Sequence, residues 1–291
     1  MPTEAQTLMA VTRNVAAAAI EGSRFIVLSS DPVMAKTALV GTYKADGRTR
    51  DEVFGGITSQ ERVEVLADGN VPLWTGVFIA EDRYILFEGE QLSFHEIDIK
   101  SGKPILHRSL PWDLPLPPRD RGGEATRWEV SELRDKFKKA FHSSSRVKVS
   151  GVARIPAKWV EAKGLALAMA LRVKDFPLGI AECNADEPTQ CQLTRLCPVP
   201  GLGISPDSVT GIVAREEERM LVFGDRKKHR MRGFKFNSCH SVTHSRDWLL
   251  PAKIKELSHL NLTADGSLIV TTQTPDDYLN ANLFLWKKEE W

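Results

Sequence analysis

The stretch Gly76–Leu106 reads GVFIAEDRYILFEGEQLSFHEIDIKSGKPIL, and its pattern decides the fold. Apolar-rich runs alternate here with short breaks that carry charges or glycine. Short runs of this kind, bounded by turn signals, are typical of antiparallel strands. The stretch therefore predicts one meander, a sheet of about four short strands.

Four further groups of short apolar runs follow the same pattern along the chain. With the opening stretch there are five groups, and their second runs begin near Arg24, Arg83, Gly164, Arg219 and Ser267. Once an insertion before Gly164 is discounted, the spacing approaches the roughly 40–50 residues of a propeller blade. The sequence thus predicts an all-β fold, a five-bladed β-propeller that forms a single domain over residues 1–291. The predicted blades lie at roughly 20–66, 67–110, 146–200, 201–250 and 251–291. An irregular β-sandwich or two smaller β domains is the alternative.

Two segments depart from this pattern. Residues 111–145 begin with a proline-rich linker, which cannot form regular sheet. Thr126 and Glu129 then have the spacing of a capping box, and apolar residues follow at helical intervals. We therefore predict one inserted amphipathic helix over about residues 127–141. A spare run at Thr7–Thr12 is expected to complete the last blade, because closing the ring removes free sheet edges.

Three short motifs resemble those of known propeller repeats. FHEIDIKSGKPIL (94–106) resembles the third-to-fourth strand hairpin of quinoprotein-like propellers. GISPDS (203–208) and LTADGSLIVTT (262–272) resemble the first-to-second strand turns of WD40-like and YVTN-like propellers. The resemblance is to a repeat class, loosely over residues 24–288, and it implies the propeller fold without a specific family.

Composition excludes several classes of protein. Hydrophobic residues make up 42% of the chain and charged residues 26%, as in a globular protein. The formal net charge is only +1, which argues against a nucleic-acid partner, because phosphate binding relies on an excess of Lys and Arg. No apolar run approaches the roughly 20 residues of a membrane-spanning helix.

The cysteines bear on the cellular compartment. Cys183, Cys191, Cys197 and Cys239 could form two disulfides or remain reduced as buried thiols. The first residues do not resemble a secretory signal, since Arg13 interrupts their apolar part. We therefore predict reduced thiols and a cytoplasmic protein. A secreted or periplasmic protein is the alternative, if a leader has been removed.

Basic residues supply the candidate binding surface. The densest cluster is Arg226, Lys227, Lys228 and Arg230, in a predicted hairpin turn. Lys136 and Lys139 would lie on the polar face of the predicted helix. Both groups could simply be solvated, but either could also contact an acidic protein surface.

A catalytic alternative rests on three acidic residues. Asp31, Asp120 and Glu182 lie in fragments that resemble motifs of five-bladed invertase-like and arabinanase-like glycosidases, Asn-Asp-Pro, Arg-Asp-Pro and Glu-Cys. That resemblance implies paired carboxylates acting as acid and as nucleophile or base. Asp31, however, follows a predicted second strand and Asp120 falls in the linker, so turn-forming and surface roles fit them better.

A metal alternative rests on Cys239, His240 and His244, which are zinc-ligand types. The gaps between the other cysteines are not those of a zinc knuckle, so we predict neither metal nor cofactor. No phosphate-binding glycine loop, nucleophile elbow or zinc-protease helix occurs in the sequence. The expected function is that of a non-catalytic platform that binds a protein. A glycosidase- or lactonase-like hydrolase, with acidic residues or a divalent metal in the central channel, is the alternative.

Overall fold

The computed structural model describes the strands and most of the second half of the chain. The described residues are 6–9, 15–29, 37–43, 57–64, 73–88, 93–100, 104–109, 149–173, 176–184, 187, 190–251, 256–272, 283–288 and 291. In these ranges the fold is all-β, and they contain no α-helix, only a 3₁₀ turn at Ala157–Trp159. The predicted helix at 127–141 lies outside the described residues.

The strands, numbered in chain order, form five four-stranded antiparallel sheets within the described ranges. The first sheet contains β2 (Val15–Glu21), β3 (Arg24–Ser29), β4 (Thr37–Tyr43) and β5 (Ile57–Glu64). The second contains β6 (Leu73–Ala80), β7 (Arg83–Glu88), β8 (Ser93–Asp98) and β9 (Pro104–Ser109). The third contains β10 (Val149–Ile155), β11 (Ala166–Leu171), β12 (Leu178–Cys183) and β13 (Cys191–Cys197).

The fourth sheet contains β14 (Val209–Arg215), β15 (Met220–Asp225), β16 (Arg230–Ser238) and β17 (Ser241–Leu249). The last sheet contains β18 (Leu257–Leu262), β19 (Leu268–Thr272) and β20 (Leu283–Trp286), together with β1 (Gln6–Met9) from the other end of the chain. β1 pairs antiparallel with β20 as the fourth strand, so the N-terminal strand completes the C-terminal sheet.

The first strand of each sheet faces the centre of a closed ring. Each of these first strands (β2, β6, β10, β14 and β18) contacts the first strand of the next sheet, and β18 contacts β2. The hydrophobic cores lie between neighbouring sheets; one, for example, packs Phe87 and Val77 of the second sheet against Met169 of the third. Sheets that pack face to face around a ring are the architecture of the β-propeller class.

Small residues let the ring close tightly. Every first strand has a register shift near its start, which marks a β-bulge. At Gly151, next to the bulge of β10, an added Cβ would lie 2.5 Å from the Gly211 Cα of the neighbouring first strand. The alanine run in β2 has no alternating pattern in the sequence, and it forms the first strand of the first sheet, with Ala18 and Ala19 buried.

The cysteine prediction was wrong. Cys183 pairs with Cys191 between the neighbouring strands β12 and β13, and Cys197 pairs with Cys239. Cys239 lies in the turn between β16 and β17, so the second disulfide ties the third sheet to the fourth. Sequence spacing did not reveal these pairings, because strand register and the packing of neighbouring sheets bring the sulfurs together.

No helix of the described segments is long and apolar enough to cross a membrane.

Candidate functional site

A cavity of about 660 Å³ opens at one end of the ring. It lies where the first strands end and turn into the second strands. All five first strands contribute lining residues, which include Ile20, Ile79, Val152, Ile212 and Leu262. The cavity therefore exists only because the ring brings these strands together.

Most of the lining residues are apolar, with charged and amide side chains among them. Val77, Ile79, Val152 and Ile212 line the cavity and are buried. These side chains also belong to the cores between the sheets, which is why the sequence places apolar residues there.

At the rim, an ion pair links two sheets that are not neighbours. Arg154 Nη1 of the third sheet lies 3.2 Å from Glu21 Oε1 of the first. Lys163 and Glu216 also line the rim, and Lys158 Nζ lies 3.4 Å from Glu216 Oε1. The rim therefore presents charges of both signs.

The long connection between β10 and β11 forms one wall of the cavity. Its 3₁₀ turn is held from outside, because Arg195 Nη2 donates to the Val160 carbonyl oxygen at 2.6 Å. The Trp159 ring stacks on Phe236 of the fourth sheet with centroids 6.1 Å apart. Arg219 Nη2 adds a hydrogen bond to the Trp159 carbonyl oxygen at 3.4 Å. The wall is therefore held by contacts with both the third and the fourth sheet.

A buried polar pair joins two other first strands. Thr75 Oγ1 of β6 lies 2.6 Å from His259 Nε2 of β18, and both residues are fully buried. Burial lowers the pKa of His259 to about 3, so the imidazole is neutral. The other ring nitrogen, Nδ1, has no hydrogen-bond partner among the described residues.

Of the three predicted acidic residues, the described part of the chain includes Glu182 alone. Asp31 and Asp120 lie outside the described residues. Glu182 lies on β12, where its carboxylate accepts from Thr194 Oγ1 at 2.9 Å and lies 3.3 Å from Arg195 Nη2. It is not among the residues that line the cavity.

Cys239 cannot serve as the cysteine ligand of the predicted alternative zinc site. Cys239 Sγ is bonded to Cys197, so it cannot serve as a thiolate. His240 is exposed, and His244 Nε2 lies 2.7 Å from Asp247 Oδ1. Within the described ranges, no three His, Cys, Asp or Glu side chains are arranged to hold a metal ion.

The predicted basic cluster forms the turn between β15 and β16, at the opposite end of β15 from the cavity. Arg230 pairs with Asp225 at 3.3 Å and with Asp247 at 3.4 Å. Lys227 and Lys228 are exposed at the tip. The other predicted binding residues, Lys136 and Lys139, lie outside the described residues.

Sequence reasoning missed the residues of the cavity. Arg154 and Glu21 lie far apart in the chain and carry no motif. The available signal was weak: each stands at or next to the end of a first strand, where a polar residue follows an apolar or small-residue run.

Comparison with known proteins addresses the fold. No protein-family model and no curated protein matches the sequence. The glutaminyl cyclase of Myxococcus xanthus is similar in structure, with TM-score 0.50 and 8% identity over 97% of this chain and 89% of the other. The chain has the β-propeller fold. Its similarity to the cyclase extends to the fold alone.

Two more solved structures show weaker similarity. A luciferin-regenerating enzyme gives TM-score 0.46 and 10% identity over 97% of this chain and 94% of the other. The Pan2 WD40 domain of Neurospora crassa gives TM-score 0.44 and 8% identity over 93% and 60%. The propeller fold by itself does not decide the function.

Proposed function

We propose that this chain is a non-catalytic propeller of five blades that binds a protein partner, with a segment of the partner seated in the cavity. One observation carries the proposal: the five first strands end around one cavity, whose lining residues are mostly apolar and whose charged residues are of both signs. A volume of about 660 Å³ falls within the usual range of binding pockets, roughly 300–1,000 Å³.

The chemistry of the cavity suits a protein segment. Interface residues that dominate affinity are apolar or aromatic anchors in desolvated pockets, surrounded by polar contacts that exclude water. Val77, Ile79 and Ile212 are apolar lining residues that also belong to the cores between the sheets. Arg154 and Glu21 at the rim offer one group of each charge, which can pair with the polar residues on either side of an anchor.

Hydrolysis remains the second prediction, and the described residues give it less support. Two of its three acidic residues, Asp31 and Asp120, lie outside the described residues, and the third, Glu182, is engaged with Thr194 and Arg195. Glu182 is also not among the residues that line the cavity. We therefore favour binding as the function of the cavity.

The two disulfides favour the alternative of a secreted or periplasmic protein over a cytoplasmic one. Disulfides persist in oxidising environments and are rare in the cytosol. Cys183–Cys191 and Cys197–Cys239 together use all four cysteines of the chain. We propose that the protein works in an oxidising compartment, as a secreted or periplasmic protein would.

A peptide-display experiment tests the binding proposal. Random 12-residue peptides displayed on yeast would be sorted with labelled wild-type protein, and the selected peptides would be measured against two variants. Ala157→Trp fills the cavity from its wall, because Ala157 is a half-buried lining residue. Leu249→Trp is the matched control, because Leu249 is 69% exposed on β17 and does not line the cavity.

We expect the selected peptides to bind Ala157→Trp at least about tenfold more weakly, a change of about 1.4 kcal/mol, and to bind Leu249→Trp as they bind wild type. Equal binding to all three proteins would overturn the proposal. Turnover of aryl glycosides or lactones that Glu21→Gln or Glu216→Gln abolishes would favour the hydrolase instead.

A further inference from the structure

A second hollow lies at the other end of the ring, between the third and fourth sheets. Its volume is about 320 Å³. The connection from β13 to β14 forms most of its lining, which consists of apolar residues and glycines: Val173, Pro177, Pro198, Val199, Pro200, Gly201, Leu202, Gly203, Ile204, Pro206 and Val209. None of these residues is aromatic, so the hollow offers no platform on which a nucleic-acid base could stack.

Arginine side chains hold this connection in place. Arg232 Nη1 donates to the Gly201 carbonyl oxygen at 2.9 Å and also to the Leu202 carbonyl oxygen. Arg230 Nη2 donates to the Gly203 carbonyl oxygen at 3.4 Å. A guanidinium that binds carbonyl oxygens keeps its charge, because carbonyls are neutral acceptors. The hollow therefore lies beside two guanidinium groups.

The adjoining turn adds positive charge that is not balanced locally. Arg226 Nη2 donates to the Asp207 carbonyl oxygen at 3.4 Å, which places this guanidinium beside the connection. Burial and the nearby Arg226 lower the pKa of Arg172, which directly precedes the lining residue Val173. Lys227 and Lys228 are exposed, and no acidic side chain in the described part of the chain pairs with either ammonium group.

The acidic residues nearby are mostly engaged already. Asp225 is 1% exposed and pairs with Arg230. Asp247 pairs with Arg230, Arg232 and His244. Among the acidic residues of the described ranges, exposed Asp207 is the one whose charge raises the pKa of Arg172. An approaching ligand therefore meets an excess of positive charge around an apolar hollow.

We infer that the hollow and the basic turn form a docking site for an acidic protein segment that carries an apolar side chain. The apolar side chain enters the hollow beside Pro200 and Leu202, and flanking carboxylates contact Lys227 and Lys228. Charges of this kind at a rim steer association and make it depend on salt. The site is separate from the cavity of the proposed function, and either can fail without the other.

Fluorescence anisotropy with three labelled 12-residue peptides tests the inference. One peptide has two central leucines among glutamates, the second replaces every glutamate with glutamine, and the third replaces the leucines with serine. We expect saturable binding of the first peptide only, weakened by added salt. The double variant Lys227→Gln/Lys228→Gln should lose about tenfold in affinity, the equivalent of about 1.4 kcal/mol.

Matched variants separate this site from general electrostatics. Lys235→Gln/Lys287→Gln removes the same charge from two exposed lysines that line neither the cavity nor the hollow, and it should bind the first peptide like wild type. Pro200→Glu places a carboxylate at the hollow, whereas Pro200→Gln makes the same backbone change without charge. We expect Pro200→Glu to bind at least about fivefold more weakly than Pro200→Gln, because the added carboxylate repels the peptide.

Three results would overturn the inference. One is the absence of saturable binding by any peptide, and another is equal loss of affinity in the two lysine double variants. The third is tighter binding of an oligothymidylate probe that also depends on Lys227 and Lys228, because it would assign the turn to nucleic acid.

Discussion

Thr75 Oγ1 and His259 Nε2 lie 2.6 Å apart and join the second sheet to the last, although the first sheet stands between them in the ring. The contact spans 184 residues of sequence, and neither side chain is exposed. Loss of this hydrogen bond would lower the stability of the fold, because each polar group would then be buried without a partner. This pair therefore helps to fix the closed ring.

The neutral state of His259 makes stability depend on pH. In the unfolded chain the imidazole takes up a proton below its ordinary pKa of 6.5, whereas burial keeps the folded pKa at about 3. The stabilising contribution is therefore complete above pH 6.5 and is lost as the pH falls towards 3. We expect the free energy of unfolding to fall by up to about 1.4 kcal/mol per pH unit within this window, measured by urea denaturation.

His259→Gln is the control, because the amide can still hydrogen-bond to Thr75 but does not titrate. Its free energy of unfolding should vary less between pH 6.5 and 4.5 than that of wild type. Asp82 affects the free energy of unfolding at lower pH than His259 does. The hydrogen bond from Lys100 lowers the pKa of Asp82 below its ordinary value of 3.8. Parallel pH profiles for variant and wild type would contradict the assignment.

Gly151 and Gly211 allow two first strands to approach closely. A Cβ on residue 151 would lie 2.5 Å from backbone atoms of Gly211 and Ile212, which cannot move aside without shifting a strand. We expect Gly151→Ala to lower the free energy of unfolding by about 2–3 kcal/mol. Gly201→Ala is the comparison, because its φ of +70° strains an alanine but its Cβ would meet nothing within 4 Å. It should cost about 1 kcal/mol, and equal losses would argue against close strand approach as the cause.

The sequence predicted strands well where apolar runs end at clear turns. The second runs predicted to begin near Arg24 and Arg83 begin at those residues in the structure, as β3 and β7. The N-terminal run predicted at Thr7–Thr12 appears as β1, which pairs with β20. The alanine run of β2 escaped prediction, because small residues lack the alternation and β-branching that mark a strand, and their role becomes visible only in the closed ring.

The site was less predictable than the fold, because its residues meet only after folding. Glu21 and Arg154 belong to first strands of different sheets, and neither has a neighbour in sequence that indicates an ion pair. The Cys197–Cys239 disulfide escaped prediction for the same reason, since its two cysteines meet between two sheets. The basic turn was found because all its charges lie within one hairpin.

The two disulfides should differ in their contribution to stability. In the loop-entropy account, a cross-link stabilises more when it closes a longer loop. Cys197 and Cys239 are separated by 42 residues, whereas Cys183 and Cys191 are separated by 8. We expect Cys197→Ser/Cys239→Ser to cost about 4 kcal/mol and Cys183→Ser/Cys191→Ser about 2.5 kcal/mol. Urea denaturation of both variants checks the order, and a larger loss for the shorter loop would contradict it.

The buried carboxylate of Asp225 should stabilise the conformation of the basic turn. Its Oδ1 accepts from the Lys228 backbone N–H at 3.3 Å, and its Oδ2 accepts from Arg230 Nε at 3.3 Å. Asp225→Asn keeps the shape but removes the charge, so we expect a loss of about 1.5–3 kcal/mol in the free energy of unfolding. Asp247→Asn should cost less than about 1 kcal/mol, because that side chain is 33% exposed. A double-mutant cycle with Arg230→Gln isolates the Asp225–Arg230 interaction, and a coupling energy near zero would show that the buried pair does not hold the turn.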